Sequence, residues 1–330
     1  MIDPYDYDND DDPYEKFENF VRDNPGKLKV SSATGSSRTI KFKIRDHNML
    51  IDAIEIDKQE AIEAGSLGFL HRGLALCSMP YKNLIGKTDY TRENGRFTLM
   101  INSTKKYGIP YGNIPRLIHI YLATEAVKTQ YPVIRLGENL SEFMQRLDLG
   151  IRGGKRGEIT RLKEQIQRMF YSTIFLIYST PKDSDATRMS MASGIRLLWD
   201  AKDPEEKLFW HSTITLGTDY FNDLIQHPIP LDLRAASSLK RASLELDIYF
   251  WLSHRLFYIK TPSVIPYDLL RIQFGSEYKR IRDFKRKFLN ALKNVKRIWW
   301  TLNVSDEGYG LKIAPSKMLV KPKKRLKNLR

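Results

Sequence analysis

Cysteine is nearly absent: Cys77 is the one thiol in 330 residues, which excludes an internal disulfide and a cysteine-built zinc site. Histidine is scarce too. His47, His71, His119, His211, His227 and His254 are dispersed, with no two at metal-ligand spacing. No His-x-His pair exists to hold the metal of a common rolling-circle nicking enzyme, so the many tyrosines have no metal centre to work beside. A run of about 18 uncharged apolar residues is also missing, so no helix is expected to span a bilayer. The beginning of the chain, with Asp3, Asp6, Asp8 and Asp10 to Asp12, is the opposite of a signal or transit peptide. Gly86-Lys87-Thr88 resembles the end of a phosphate-binding loop, but Tyr81 stands where that loop needs glycine. These absences leave a cytoplasmic, membrane-free protein with no catalytic centre, no metal and no cofactor as the expectation.

Acidic residues are scarce in one region only. Leu231 to Arg330 carries 23 Lys+Arg against 8 Asp+Glu, while the rest of the chain holds 31 of each. The formal charge of +15 is therefore concentrated in the last third. A segment this basic attracts a polyanion, with strong salt dependence. Surface charge tuned for solubility is the bland alternative, and excess positive charge serves that purpose poorly.

The chain reads as α+β. Residues 1–25 form an acidic, flexible tail, and residues 319–330 a basic one. Residues 26–95 form an N-terminal, partly helical extension, with a helical pattern from Ile56 to Met79 ending before Pro80. Residues 96–228 and 229–318 each show the order of a winged helix, three helices followed by strand hairpins. In the first, Arg96 to Asn102 alternates as a strand after the Asn94-Gly95 turn. Pro115 then sits in the first turn of a helix whose residues Leu117, Ile120, Tyr121, Thr124 and Val127 recur at helical spacing. Pro132 ends that helix and Val133 to Gly137 reads as a strand. Asn139 with Glu142 forms a capping box for a helix through Leu149. A third helix covers about 158–171, and strands are predicted at Ile174 to Tyr178, Ile195 to Trp199 and His211 to Leu216. In the second half, Leu231 to Lys240 reads as a short helix and Leu244 to Ile259 as a buried one, apolar nearly all round. Pro266 opens a helix to Phe274, a long helix covers about 277–298, and Trp299 to Val304 with Tyr309 to Ile313 flank a polar tip as a hairpin would.

The long helix is the strongest candidate for nucleic-acid contact. Ile281, Phe284, Phe288, Leu292 and Val295 form one apolar stripe, and Lys279, Arg282, Arg286, Asn290, Lys293 and Arg297 fall opposite it. Nine basic residues face two acidic ones over 277–298, too few acidic partners for a merely solvated face. Such a helix suits a major groove, with arginines near its start reading guanine edges and lysines holding phosphates. The candidate contacts here are Lys279, Arg280, Arg282, Lys285, Arg286, Lys293 and Arg297. A second candidate runs from Arg152 to Tyr171. Ile159, Leu162, Ile166, Met169 and Phe170 form its buried stripe, with Arg161, Glu164, Gln165, Arg168 and Tyr171 outward. Arg161, Gln165 and Arg168 suit base edges, and Arg152, Lys155 and Arg156 in the basic glycine turn suit phosphates. Glu158 and Glu164 temper this charge, so the surface fits a protein interface equally well.

Several stretches resemble the RepA-type replication initiators of bacterial plasmids. The first is Gly108-Ile109-Pro110-Tyr111-Gly112-Asn113-Ile114-Pro115-Arg116-Leu117, followed by Leu122-Ala123-Thr124-Glu125-Ala126-Val127. Leu140-Ser141-Glu142-Phe143-Met144, the turn Gly153-Gly154-Lys155-Arg156-Gly157 and Thr160-Arg161-Leu162 continue the series. Pro228-Ile229-Pro230-Leu231-Asp232, Leu246-Asp247-Ile248-Tyr249-Phe250-Trp251-Leu252 and Gln273-Phe274-Gly275-Ser276 complete it, with Thr91-Arg92-Glu93-Asn94-Gly95 upstream. The resemblance covers about residues 60–320 in consistent order. It implies two tandem winged helices that bind duplex repeats (iterons) at a plasmid origin and open it, with the host initiator and replicative helicase as partners. It also implies a monomer–dimer equilibrium, repression of the protein's own promoter and a place beside plasmid DNA in the bacterial cytoplasm. A winged-helix repressor without initiator activity is the alternative.

Overall fold

The computed structural model describes residues 27–31, 37–41, 44–137, 139–150, 154, 157–179, 186–196, 212–275 and 278–321. The acidic tail, most of the basic tail, and Arg152, Lys155 and Arg156 lie outside the described residues.

A hairpin of β1 (Lys27–Ser31) and β2 (Ser37–Lys41) precedes α1 (Ile44–Lys58). The sequence pattern predicted a helix from Ile56 to Met79; the structure replaces most of it with β3 (Leu67–His71) and the short α2 (Arg72–Leu76). The helix ends at Lys58, and the turn over 61–65 closes at Gly65, whose φ of +64° is a left-handed conformation that costs glycine little. The strand that follows then gains a remote partner, discussed below. β4 (Asp89–Asn94) and β5 (Phe97–Asn102) form the expected hairpin.

The first winged helix follows. α3 (Asn113–Thr129) starts with Pro115 in its first turn and ends at Gln130, which is left-handed, ahead of Pro132. The predicted one-sided stripe understates this helix: Ile114 to Thr124 is buried throughout, because α3 packs against elements of both halves. β6 (Val133–Arg135) leads to α4 (Leu140–Arg146), where the Asn139 side chain accepts from the Glu142 N–H at 2.8 Å. Glu142 itself pairs with Arg146 at 2.6 Å. α4 stops before the predicted Leu149, with Asp148 left-handed at φ +53°. α5 (Glu158–Phe170) is the third helix. β7 (Thr173–Ser179) and β8 (Ala186–Ser190) extend the earlier hairpin into a four-stranded sheet, β4-β5-β7-β8, while β9 (Ala192–Arg196) and β10 (Thr213–Leu216) join β6 in the order β6-β10-β9.

Between the halves lie α6 (Thr218–Gln226), β11 (Pro228–Asp232) and α7 (Leu233–Leu239). β11 takes in Leu231 and Asp232, the first two residues of the helix expected over Leu231 to Lys240, and pairs antiparallel with β3 from Pro228↔His71 to Asp232↔Leu67. The second winged helix is α8 (Ser243–Arg255), β12 (Ser263–Pro266), α9 (Tyr267–Phe274), α10 (Ile281–Ile298), β13 (Val304–Asp306) and β14 (Gly310–Ile313). Its sheet order, β12-β14-β13, repeats the first-last-middle order of β6-β10-β9, so the fold is α+β with two winged helices in tandem. The predicted strand from Trp299 begins only at Val304; Trp299 instead caps α10, and its buried indole donates to the Lys317 carbonyl at 2.7 Å.

One buried ion pair joins the first helices of the two halves. The Arg116 guanidinium on α3 meets both Asp247 carboxylate oxygens on α8 at 2.7 Å. Its remaining donors reach the Met79 and Gly112 carbonyls at 2.7 and 2.5 Å. Burial disfavours the guanidinium charge, but Asp247 outweighs it and holds Arg116 above its usual pKa. Two further bonds tie the hairpin region to the second half: Arg92 donates to the Ile272 carbonyl at 3.0 Å, and Ser78 to the Gln273 carbonyl at 2.9 Å.

Removing one partner of a buried pair costs about 3–5 kcal/mol, since the other charge stays buried and uncompensated. Arg116→Met alone is therefore expected to lower the urea unfolding free energy by that amount, and Arg116→Met with Asp247→Leu to recover most of it. His119, one turn along α3, gives a pH-dependent prediction. Neither of its ring nitrogens has a hydrogen-bond partner among the described residues, and burial, helped by His71 and Arg116, pushes its pKa to about 3 from 6.5. The unfolded chain binds the proton first, so this contribution is intact above pH 6.5 and is lost as pH falls toward 3. Urea titrations at pH 7 and pH 4 should show a smaller acid loss for His119→Leu than for the wild type.

Candidate nucleic-acid interface

An apolar side seats α10. Phe284, Phe288, Leu292 and Val295 are buried as the stripe predicts, whereas Ile281, its first member, is 38% exposed. At about 100° per residue, Arg282, Arg286, Asn290 and Lys293 emerge together on the opposite side, and all four are exposed. Lys279 and Arg280 stand exposed just ahead of the helix, whose first residue is Ile281, four residues later than predicted. Among the described residues Arg286 makes only a long contact to Asp283, at 3.4 Å, and its side chain is 69% exposed. Lys287, absent from the candidate contacts, is also exposed beside them. Its offset of one and three residues from Arg286 and Asn290 was the signal for it.

Two other predicted contacts on this helix are placed differently. Arg297 pairs with Asp46 of α1 at 2.6 Å and donates to the Asn294 side-chain Oδ1 at 2.8 Å. Lys285 is directed into the hairpin of β13 and β14, the wing, where it meets Asp306 at 3.0 Å and the Gly308 carbonyl at 2.8 Å. Both are spent within the fold because α1 and the wing approach α10 from its two flanks. Burial opposes the charge on Asp306, yet bonds from Lys285, the Gly308 N–H and the Tyr267 hydroxyl outweigh it and hold that carboxyl below its usual pKa.

The corresponding helix of the first half, α5, is much less open. Arg161 is exposed, with a 3.3 Å bond to Asn113. Gln165, expected to face outward, is 4% exposed and accepts from the Tyr111 N–H at 2.9 Å. Arg168, also expected outside, has a side chain 14% exposed. It bonds Glu164, the Ile109 carbonyl at 3.1 Å and Asn83, and lies over the Tyr111 ring. The loop 108–111 folds back across α5 and covers both. Gly108 permits this, since a Cβ there would lie 2.6 Å from the Arg168 guanidinium. A base-reading role for Gln165 and Arg168 is thus replaced by a loop-holding one. Arg152, Lys155 and Arg156 lie outside the described residues.

Chemically, then, α10 offers a convex cationic ridge beside a two-stranded wing, a shape that complements a duplex groove and its phosphates. Among the described residues no group of three or more His, Cys, Asp and Glu is placed to hold a metal ion, and no helix is long and apolar enough to cross a membrane. Cys77 is fully buried, and burial pushes its thiol up to about 12.

Residues 109–267 match a family described as plasmid-encoded RepA protein. No curated protein sequence matches the chain. Among solved structures the chain is similar to domains 2 and 3 of RctB, seen in a crystal structure of selenomethionine derivatives. The TM-score is 0.48 at 12% identity, covering 74% of this chain and 98% of that one. The family match runs from the loop before α3 to the first residue of α9, and so stops short of α10.

The placement of Gln165 makes a prediction about stability. Gln165→Leu strands the Tyr111 N–H and is expected to cost about 1–3 kcal/mol in urea unfolding. Arg161→Ala, at an exposed position, is expected to stay within about 0.5 kcal/mol of wild type in the same measurement.

Proposed function

We propose, from the match of residues 109–267 to a family described as plasmid-encoded RepA protein, that this protein initiates plasmid replication by binding repeated duplex sites at the origin. The observation that carries the reading is the exposed row Arg282, Arg286, Lys287 and Lys293 on a helix whose other side is buried. Row and wing together address a major groove and its flanking phosphates, with Arg282 and Arg286 nearest the helix start, where base edges are met. Lys279, Arg280 and Lys293 are the phosphate contacts in this reading. Arg161 of the first winged helix takes a lesser share, joined by Arg152, Lys155 and Arg156 of the glycine turn. Origin opening, recruitment of the host initiator and replicative helicase, repression of the protein's own promoter and a monomer–dimer equilibrium complete the proposal. No step of it requires catalysis or a cofactor.

A footprint of the purified protein on DNA flanking its own gene, at two salt concentrations, tests the reading. Protection of regularly spaced repeats that survives competitor DNA is expected, with log affinity falling linearly in log salt. Arg282→Ala with Arg286→Ala is expected to abolish the discrete footprint at unchanged thermal stability. Uniform, salt-erased protection would reduce the protein to a non-specific DNA coat, and wild-type affinity in the double variant would make the ridge a solvated face. Deleting the gene separates initiator from repressor: plasmid loss supports the first, and derepression without plasmid loss supports the second.

A further inference from the structure

Lys285 lies in the middle of the cationic ridge by sequence but not in space. Its side chain is 27% exposed, against 69% for the adjacent Arg286. Of an ammonium's three donors, two have partners in the wing, and an aromatic ring lies beside the nitrogen. One meets Asp306 at 3.0 Å, one the Gly308 carbonyl at 2.8 Å, and the nitrogen sits 4.7 Å from the centre of the Tyr267 ring. The other three groups are joined to one another as well. The Tyr267 hydroxyl and the Gly308 N–H each donate to Asp306 at 2.9 Å, and the Tyr267 N–H donates to the Tyr309 carbonyl at 3.1 Å. Three elements therefore meet at one carboxylate: the start of α9, the first turns of α10 and the tip of the wing.

We propose that Lys285 is a positioning residue that fixes the wing against the groove-facing helix, and not a phosphate contact. The wing needs such a tie, because its strands have only three and four residues and a short hairpin orders itself poorly. A released wing has to be ordered at the moment of binding, and that entropy weakens affinity without the loss of any DNA contact. Release also bares the Asp306 carboxylate beside the cationic ridge, where it repels phosphate. This proposal rests on the DNA-binding reading above for its consequence, but not for its geometry.

The test uses the full chain with Lys285→Met, Asp306→Asn, the two combined, and Lys285→Arg. In the free protein, amide exchange across 304–313 is expected to be about tenfold faster in both single variants, with α8 unchanged and Lys285→Arg near wild type. On the duplex protected by the wild type, Lys285→Met is expected to bind about tenfold more weakly. In the Asp306→Asn background the same change should cost little and leave the salt slope unaltered. A phosphate contact behaves otherwise: the loss is equal in both backgrounds and the slope falls by about one. That result, or wild-type exchange in Lys285→Met, overturns the proposal. If the wild type protects no discrete duplex, the function fails separately, and the exchange data still decide whether Lys285 holds the wing.

Discussion

A guanidinium and a carboxylate sealed between α3 and α8 set the terms for the rest of the molecule. Arg116 and Asp247 are almost wholly buried, so each charge is tolerable only while the other is in bidentate contact. The remaining Arg116 donors are taken by carbonyls at Met79 and Gly112, which fixes the strap before α3 and its first turn at the same point. Around this pair the first helices of the two winged helices cannot slide independently. The β3–β11 pairing and the bonds from Arg92 and Ser78 to α9 repeat the tie at three other places. Relative placement of the halves is thus decided by directional polar contacts within an apolar core, since apolar burial alone is non-directional.

The two winged helices share an order of elements and differ in what covers their third helix. Loop 108–111 closes over α5 and takes Gln165 and Arg168 for its own support. Nothing among the described residues closes over the corresponding side of α10, which leaves its cations in solvent. A count of basic residues along α10 overstates that side all the same. Arg297 neutralises Asp46, Lys285 neutralises Asp306, and farther on Lys317 pairs with Asp57 at 2.7 Å. Among the described residues a narrow exposed row is left, Lys279, Arg280, Arg282, Arg286, Lys287 and Lys293, and its narrowness gives the surface a direction along the helix that net charge lacks.

Much of the architecture was legible in the sequence because local rules sufficed there. Pro115, the Asn139 cap, the buried run of α8 and the polar wing tip act through neighbours within a turn or two. Phe284, Phe288, Leu292 and Val295 at helical spacing likewise fixed which side of α10 is buried, and with it that Arg282, Arg286 and Lys293 face out.

Tertiary structure alone decided the features built from residues far apart in the chain. β3 is a strand because β11 lies beside it, and β11 tolerates Pro228 and Pro230 because its sheet has only two strands. Gln165 and Arg168 have the residue types of base readers, yet a loop from another part of the chain buries them. Lys285 differs from Arg286 by one position and 100° of helix rotation, and only the approach of the wing separates their fates. A sequence states which charges exist and where a helix would point them; whether a charge faces solvent or an internal partner depends on what the rest of the chain brings near it.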